Sequence, residues 1–455
     1  MSAEGLRACE EKMRAEGLPE VAVETFAHYY RLLEAGETGL IPESEIEPVD
    51  ALPDAEELVE EASAELLDQA VVLKLNGGLG TSMGMSGPKS LLVAKDGRTF
   101  LDLTAQQVLT LRERSGARVP LVLMNSFATR EPSLAALDEG LSADLAPDFV
   151  QNKEPKVLVD DLSPAEWPSR PDLEWCPPGH GDLYTALQTS GLLAQMLDRG
   201  YRYAFVSSSD NLAAVLDPRI LAWMASEQAP FVMEVADRTQ ADRKGGHVAR
   251  DAGGALLLRE VAQCPDEDLD AFQDVERHRY FNTNTIWLDL KAVAAELDRR
   301  DGVLGLPLIR NAKTVDPSDK SSPAVFQIET AMGAALGVIE GARALRVPRS
   351  RFTPVKTTGD LLSLRSDAYE VAGDGSVVLV GERDGRPPYI DLDDEHFKLV
   401  GDFEPRFEAI PSLRACDALA VRGDVTFGPG VELRGRVEVE AAHGPVRLAD
   451  TVLEG

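Results

Sequence analysis

The chain has 455 residues, 44% of them hydrophobic, and carries a formal net charge of −31 at pH 7. That length predicts two or three domains with ample material for a core. The acidic balance excludes nucleic acid and anionic membrane as whole-surface partners, so an anionic ligand would need local lysines, arginines and backbone dipoles.

Residues 1–70 read as an acidic helical segment that packs as a cap. Within it, Val23, Phe26, Tyr29, Tyr30, Leu32 and Leu33 recur at mostly three-to-four spacing, predicting a helix over 21–34 that Gly36 and Gly39 end. Pro42 to Pro53 reads as a linker, and Asp54 to Gln69 as a second helix leading into a strand at Val71–Leu75. The run from Val71 to Phe100 carries the strongest signal. A buried strand with one lysine opens it, a loop with Gly77, Gly78, Gly80, Gly84 and Gly87 follows, and Pro88-Lys89-Ser90 closes it. Glycines let backbone N–H groups approach a ligand and form an anion nest, and Lys89 adds a full positive charge. This predicts a phosphate-binding loop. It is not a P-loop: Pro88 separates Gly87 from Lys89, and Ser82 stands where the first glycine would be. Nor is it a dinucleotide fingerprint, because Met83 falls where the third glycine belongs.

The stretch LNGGLGTSMGMSGPKS resembles the signature loop of the eukaryotic-type UDP-glucose pyrophosphorylases, the UTP–glucose-1-phosphate uridylyltransferases. Their pattern L-N-G-G-L-G-T-x-M-G-x-x-G-P-K-S is matched at every fixed position. The resemblance is strong over about residues 71–365 and weaker at both ends. It implies a Rossmann-like, GT-A-like nucleotidyltransferase domain and a C-terminal left-handed β-helix.

Downstream, Thr99-x-x-Asp102 predicts a capping box, with Gly116 ending the helix that follows. A strand at Val119–Met124 begins an alternation: Lys156–Val159, a helix at Leu183–Leu197, Tyr203–Val206, a helix at Arg219–Ser226, and Phe231–Val235. That rhythm predicts an α/β layered domain on a mostly parallel sheet, with ligands beyond the carboxyl ends of the strands. Residues 384–455 differ. Short apolar–polar alternations at Ala418–Val421, Val425–Phe427, Val431–Leu433 and Val437–Val439 predict a small β-domain. The expected division is 1–70 helical, 71–383 catalytic and 384–455 β-helix-like.

Several stretches carry candidate chemistry. Pro177-Pro178-Gly179-His180-Gly181-Asp182 leads into a helix and can bind a phosphate or sugar hydroxyl, or can simply be an N-cap with Asp182 as the cap. The resemblance implies Gly179 beside uracil and His180 beside the sugar phosphate. Asp210 ends the run Phe205–Asn211, as suits a Mg²⁺ ligand at a strand end, although an Asx turn fits as well. The family typically has Asn where Ser208 stands. Arg243 to His247 reads as a tight hairpin followed by a turn at Gly253-Gly254, and resembles a family segment near the sugar. Asn282 and Asn284, at i and i+2 of a strand, would share one face; the family pattern departs only at Thr285. Glu329 reads as a sugar contact or a helix N-terminal acid. Lys356, in a run matching F-x-P-V-K-T-T-x-D, would reach a polyphosphate.

The resemblance implies a Mg²⁺-assisted transferase making UDP-glucose and pyrophosphate from UTP and glucose 1-phosphate. Leu75, Asn76, Gly77, Gly78 and Gln151 would lie on the uracil side. Lys89 would neutralise the departing phosphates, and Lys356 would bridge sugar phosphate and α-phosphate. His180, Ser208, Asn282, Asn284 and Glu329 would hold the sugar. Two other readings stay open: another sugar 1-phosphate such as galactose or N-acetylglucosamine 1-phosphate, and a non-catalytic UDP-sugar-binding protein. Cys9, Cys176, Cys264 and Cys416 show no zinc spacing. With no signal peptide and no apolar run of membrane-spanning length, the chain reads as cytoplasmic, with possible homo-oligomerisation through the C-terminal domain.

Overall fold

The computed structural model describes residues 2–455. A ten-stranded mixed sheet organises it. Ala70–Asn76 lies inside the sheet, parallel to Tyr203–Ser208 on one side and Leu121–Asn125 on the other. Its first five residues are all buried, because a parallel strand covered on both faces has no solvent side. Val71 and Leu73 join one apolar layer with Val122, Val206 and Ile286; Val72 joins the opposite layer with Leu123, Phe205 and Trp287. Asp148–Val150 extends the parallel half. On the other flank Tyr280–Asp289 runs antiparallel to both Tyr203–Ser208 and Phe231–Asp237, and Arg343–Arg346 adds in parallel to the latter. His247–Asp251, Leu256–Arg259 and the edge strand Ile46–Pro48 complete that flank.

The helices Ser2–Ala15 and Glu20–Glu34 pack through Cys9, Phe26 and Tyr30 against Val157, Leu308 and Ile328. The capping box forms: Thr99 Oγ1 accepts from Asp102 N at 3.1 Å, and Asp102 Oδ2 from Thr99 N at 2.8 Å. Four elements differ from expectation, and one of them, Lys156–Val159, gives only the two-residue strand Val157–Leu158, which pairs antiparallel with Ala324–Glu329 outside the central sheet. Asp54 to Gln69 is a 3₁₀ turn at Ala55–Glu57 and a one-turn helix at Ala64–Leu67. Asp54 and Ser63 each cap their own short turn, and Ala62 N donates to Pro218 O at 3.0 Å, which holds the chain extended between them. The linker contributes the edge strand ending at Pro48, a place where a missing N–H costs nothing. The single helix at Leu183–Leu197 is two helices, Leu183–Thr189 and Leu192–Asp198, broken at Gly191, whose φ is +74°.

Toward the C-terminus, Tyr389–Leu392, Ser412–Arg422, Val431–Glu440 and Thr451–Glu454 stack in parallel. A second parallel ladder joins Val425–Phe427 to Val446–Leu448. Two parallel ladders from successive passes of the chain make a β-helix. Val431–Leu433 and Val437–Val439 belong to one strand, and two short helices, Asp394–Phe397 and Val400–Phe403, lie between the first strand of the stack and the second. Phe397, Phe403, Leu413 and Leu419 share an apolar cluster with Met83 and Leu92, so the coil packs beneath the glycine loop.

Under the strand ends lies a buried polar knot. Arg351 donates from Nε and Nη2 to Glu234 at 2.9 and 2.8 Å, and Trp287 Nε1 donates to Glu234 at 2.9 Å. Removing one partner of a buried ion pair strands the other charge. Glu234→Ala is therefore expected to destabilise the protein by about 3–5 kcal/mol, read as a lower urea midpoint, whereas Glu234→Leu with Arg351→Met restores much of it.

Candidate active site

The site forms where three parallel strands end together. Leu75 pairs with Ser208 and Met124, so the glycine loop, the Asp210 turn and the Ser126 turn leave the sheet at one level. Lys89 N donates to Gly78 O at 3.1 Å, folding the loop back on itself. The Lys89 side chain thereby reaches Asp210, with Nζ 2.7 Å from Oδ2, and also donates to Val355 O. Ser208 Oγ donates to the other carboxylate oxygen at 2.6 Å, and Val355 N donates to Asp210 O at 3.2 Å. That backbone bond brings exposed Lys356 to the same rim, where its N–H donates to Asp360 in the capping box of the Thr358–Arg365 helix. Lys89 and Asp210 thus meet, and the bond from Val355 sets the Lys356 backbone next to them. Ser208 acts on Asp210, a role its position two residues away makes short and direct.

Gln151 lies beside the loop: a Cβ added to Gly77 would fall 3.1 Å from its Oε1. Gln151 N donates to Asn125 O at 2.8 Å, and Ser126 Oγ to Gly77 O at 3.0 Å. The Asn76 amide is buried, and its Nδ2 donates to Asn125 Oδ1 at 2.7 Å and Ser133 Oγ at 2.8 Å, which commits its side-chain N–H groups inside the sheet. Half-buried Leu75 packs against the apolar layer below.

The Gly179–Asp182 turn is zipped onto Glu329-Thr330. Thr330 N donates to Pro178 O at 3.0 Å, and Gly181 N to Thr330 O at 2.8 Å. Gly179 has φ +78°, and a Cβ at Gly181 would lie 2.1 Å from Thr330 Oγ1, so neither position admits a side chain. His180 Nδ1 accepts from Met332 N at 3.0 Å, which leaves Nε2 as the protonated nitrogen. Desolvation, then nearby Lys356, pushes the imidazole down to about 4, so the ring is neutral near pH 7. Asp182 does not cap the helix that follows; its carboxylate accepts from Asn152 instead.

The two asparagines do not lie on a regular strand. Against Phe231–Asp237 the register slips between Glu234 and Val235, and Asn284 takes φ +55° in the resulting bulge. Asn282 Nδ2 donates to Asn284 Oδ1 and Asn284 N to Asn282 Oδ1, both at 2.9 Å, so the two amides lock together. Asn282 N donates to Gly246 O at 2.9 Å, bringing the Arg243–His247 segment alongside. Thr285 is buried opposite Glu234, which removes it from any sugar contact.

Two residues went unnoticed in the sequence. Glu260 lies within 3.5 Å of Asn282 Nδ2; burial raises its pKa, while Asn282 and Lys356 oppose the rise. Nothing local marked it, because a strand brings it across. Lys74 stood visibly inside an apolar strand but was given no role. It is fully buried, donates to Ser207 Oγ at 2.7 Å and Ala214 O at 3.0 Å, and desolvation together with Arg351 lowers it to about 7.

A cationic rim, a glycine loop and neutral polar groups at one set of strand ends suit a phosphate-bearing nucleotide and a second polar ligand. A profile of the family described as UTP–glucose-1-phosphate uridylyltransferase matches residues 23–434. The chain is 42% identical over 402 residues to the Hordeum vulgare UTP–glucose-1-phosphate uridylyltransferase, covering 87% of this chain and 82% of that one. It is 42% identical over 382 residues to the Saccharomyces cerevisiae protein of the same name, covering 83% and 75%. A Leishmania major UDP-glucose pyrophosphorylase, solved in open and closed forms, superposes with a TM-score of 0.92 at 45% identity over 99% of both chains. A UDP-glucose phosphorylase from Trypanosoma brucei gives 0.90 at 45% identity, over 99% of this chain and 100% of that one. With matching sequence, matching fold and the signature loop at its strand ends, this chain belongs to the UTP–glucose-1-phosphate uridylyltransferase family.

Proposed function

We propose that the protein transfers a uridylyl group from UTP to glucose 1-phosphate, forming UDP-glucose and releasing pyrophosphate. The observation that carries this reading is the pairing of Lys89 with Asp210 at the mouth of the glycine loop, with the Lys356 segment bonded to Asp210 through Val355, in a chain of this family. A phosphate oxygen of glucose 1-phosphate attacks the α-phosphorus of UTP; that P–O bond forms as the bond to the β-phosphate breaks, and pyrophosphate carries the electron pair away. Both reactants are anions, so the barrier is mainly repulsion and misalignment. Positioned cations and donors lower it without a protein nucleophile.

In this reading the Leu75–Gly78 backbone and Gln151 face the uracil, with Gly179 beside it. Lys89 takes the departing phosphates, and Lys356 spans the sugar phosphate and the α-phosphate. Neutral His180, with Asn282, Asn284, Glu329 and Ser208, holds the sugar side as hydrogen-bonding groups. The locked amide pair and the zipped Gly179–Asp182 turn support pre-formed sugar contacts. The division into 1–70, 71–383 and 384–455 is kept as the working one.

Transferases of this class work with a divalent metal, and Asp210 suits Mg²⁺. Among the described residues no cluster of three metal-ligating side chains exists. One carboxylate at a strand end fits a cation that takes its remaining ligands from phosphate and water. It does not fit a metal held by protein alone, since Lys89 and Ser208 already occupy the two Asp210 oxygens. Bound there, Mg²⁺ would offset charge on the α-phosphate. Among the described residues no helix is long and apolar enough to cross a membrane; the cytoplasm is the compartment we assign to the enzyme. The ladder end at Thr451–Glu454 offers a surface for a second copy.

The direct test is pyrophosphate release with UTP, Mg²⁺ and each sugar 1-phosphate in turn. Release with glucose 1-phosphate is expected; release only with another sugar, or none from folded protein, overturns the assignment. Lys89→Ala and Lys356→Ala should each lower kcat by roughly 10²–10³-fold, about 3–4 kcal/mol, with folding intact. Titration calorimetry should show Mg²⁺ binding weakly to the free protein and at least about tenfold more tightly once UTP is present, because most ligands come from the triphosphate.

A further inference from the structure

Gln151, on the uracil side, and His180, on the sugar side, lie on separate segments of the chain. One buried carboxylate joins them. Asp182, 5% exposed, accepts from Asn152 N at 2.6 Å and from Asn152 Nδ2 at 2.8 Å. Asn152 directly follows Gln151; Asp182 lies two residues after His180. The same segments are tied again where Glu154 pairs with Cys176 in a short antiparallel ladder. Asp182 had a cheaper local option, capping its own helix, and does not take it. Both donors on Asn152 are instead spent on one side chain.

We propose that Asp182 is a positioning residue that locks the Gln151 segment to the His180 turn, so that the uracil and sugar-phosphate contacts form as one rigid unit. This rests on the assignment of Gln151 to the nucleotide and His180 to the sugar phosphate. Binding of either substrate then orders the segment that receives the other, which is a coupling free energy between two subsites.

The surroundings make the lock sensitive to pH. A cavity of about 30 Å³, enough for a water or two, lies among Asn152, Glu154, Asp182, Glu329 and Thr330. Burial lifts Asp182 to about 7, and the Asn152 bonds restrain the rise. Glu154, 4% exposed with Oε1 lacking a protein partner, is held well above the carboxylate range by burial, then by Asp182 and Glu329. His180 faces the turn from its own segment, with Lys356 beyond it. From the N-terminal helices Met13, Thr25, Phe26 and Tyr29 face the cavity, and burial keeps the Tyr29 phenol un-ionised. Protonating Asp182 removes a charged acceptor from Asn152, so the lock weakens as pH falls through about 7.

The test uses the full-length enzyme with Asp182→Asn, which keeps the shape but turns an amide donor toward Asn152. Both KM for UTP and KM for glucose 1-phosphate should rise about fivefold or more, with unchanged circular dichroism and melting temperature. The wild-type kcat/KM should fall on the acid side of about pH 7, and the variant should lose that limb. Asn152→Ala added to Asp182→Asn should cost little more, as expected for one shared contact. If Asp182→Asn does not fold, Asn152→Ala alone decides, since it keeps the backbone bond and loses the other. Gln151→Ala raising KM for UTP and His180→Ala raising KM for glucose 1-phosphate would support the underlying assignment; if neither moves its KM, that assignment fails. If both do and the lock variant moves only one KM or none, or keeps the acid limb, the coupling proposal is wrong.

Discussion

Everything at the site depends on the parallel register between Ala70–Asn76 and its two neighbours. Because Leu75 lies opposite Ser208 and Met124, three loops leave the sheet at one level and can share a ligand. A slip of one residue would turn Val71 and Leu73 out of their layer and move Asp210 away from Lys89. The apolar layers on the two faces therefore fix the chemistry by forbidding that slip. Burial of Val71, Leu73 and Val206 at 0% each leaves no room for an alternative register.

The molecule is strongly acidic, yet its strand ends gather Lys74, Lys89, Lys356 and Arg351. Three of them are tied by neighbours: Lys89 by Asp210, Arg351 by Glu234, Lys74 by a hydroxyl and a carbonyl. A tied lysine is pre-aimed, so little rotamer entropy is lost when phosphate arrives. The same tie has a consequence for the metal. In the proposed reading, Asp210 would be free to take a cation once Lys89 turned to phosphate, which would make nucleotide, lysine and metal mutually dependent. Around this charged centre His180 is neutral and the Asn282 and Asn284 amides are locked together.

The glycine loop, the strand before it, the Thr99 capping box and the α/β rhythm were legible because each rests on local rules: periodicity, turn chemistry and end-capping. Lys89 and Asp210 also stand in motifs, and the structure pairs them. What misled was local evidence with a stronger distant competitor. Asp54–Gln69 has helical spacing, but its caps and Pro218 hold it open. Asp182 looks like an N-cap, but Asn152 claims it. Asn282 and Asn284 have strand spacing, but the slip beside Glu234 makes a bulge. Thr285, a departure from the family pattern, is a matter of packing and not of sugar recognition.

The amino-acid sequence by itself determined the family, the order of elements and the glycine loop with its lysine, since a backbone nest and a lysine are chosen by spacing along one loop. Only the tertiary structure decided which groups are partners. Lys89 and Asp210 are 121 residues apart, Asn152 and Asp182 30, and Met332 and His180 152. Contacts at such separations are selected by sheet register and core packing, and those leave no local mark on the chain. The pKa values of His180, Asp182 and Glu260 follow from that burial and could be read only there.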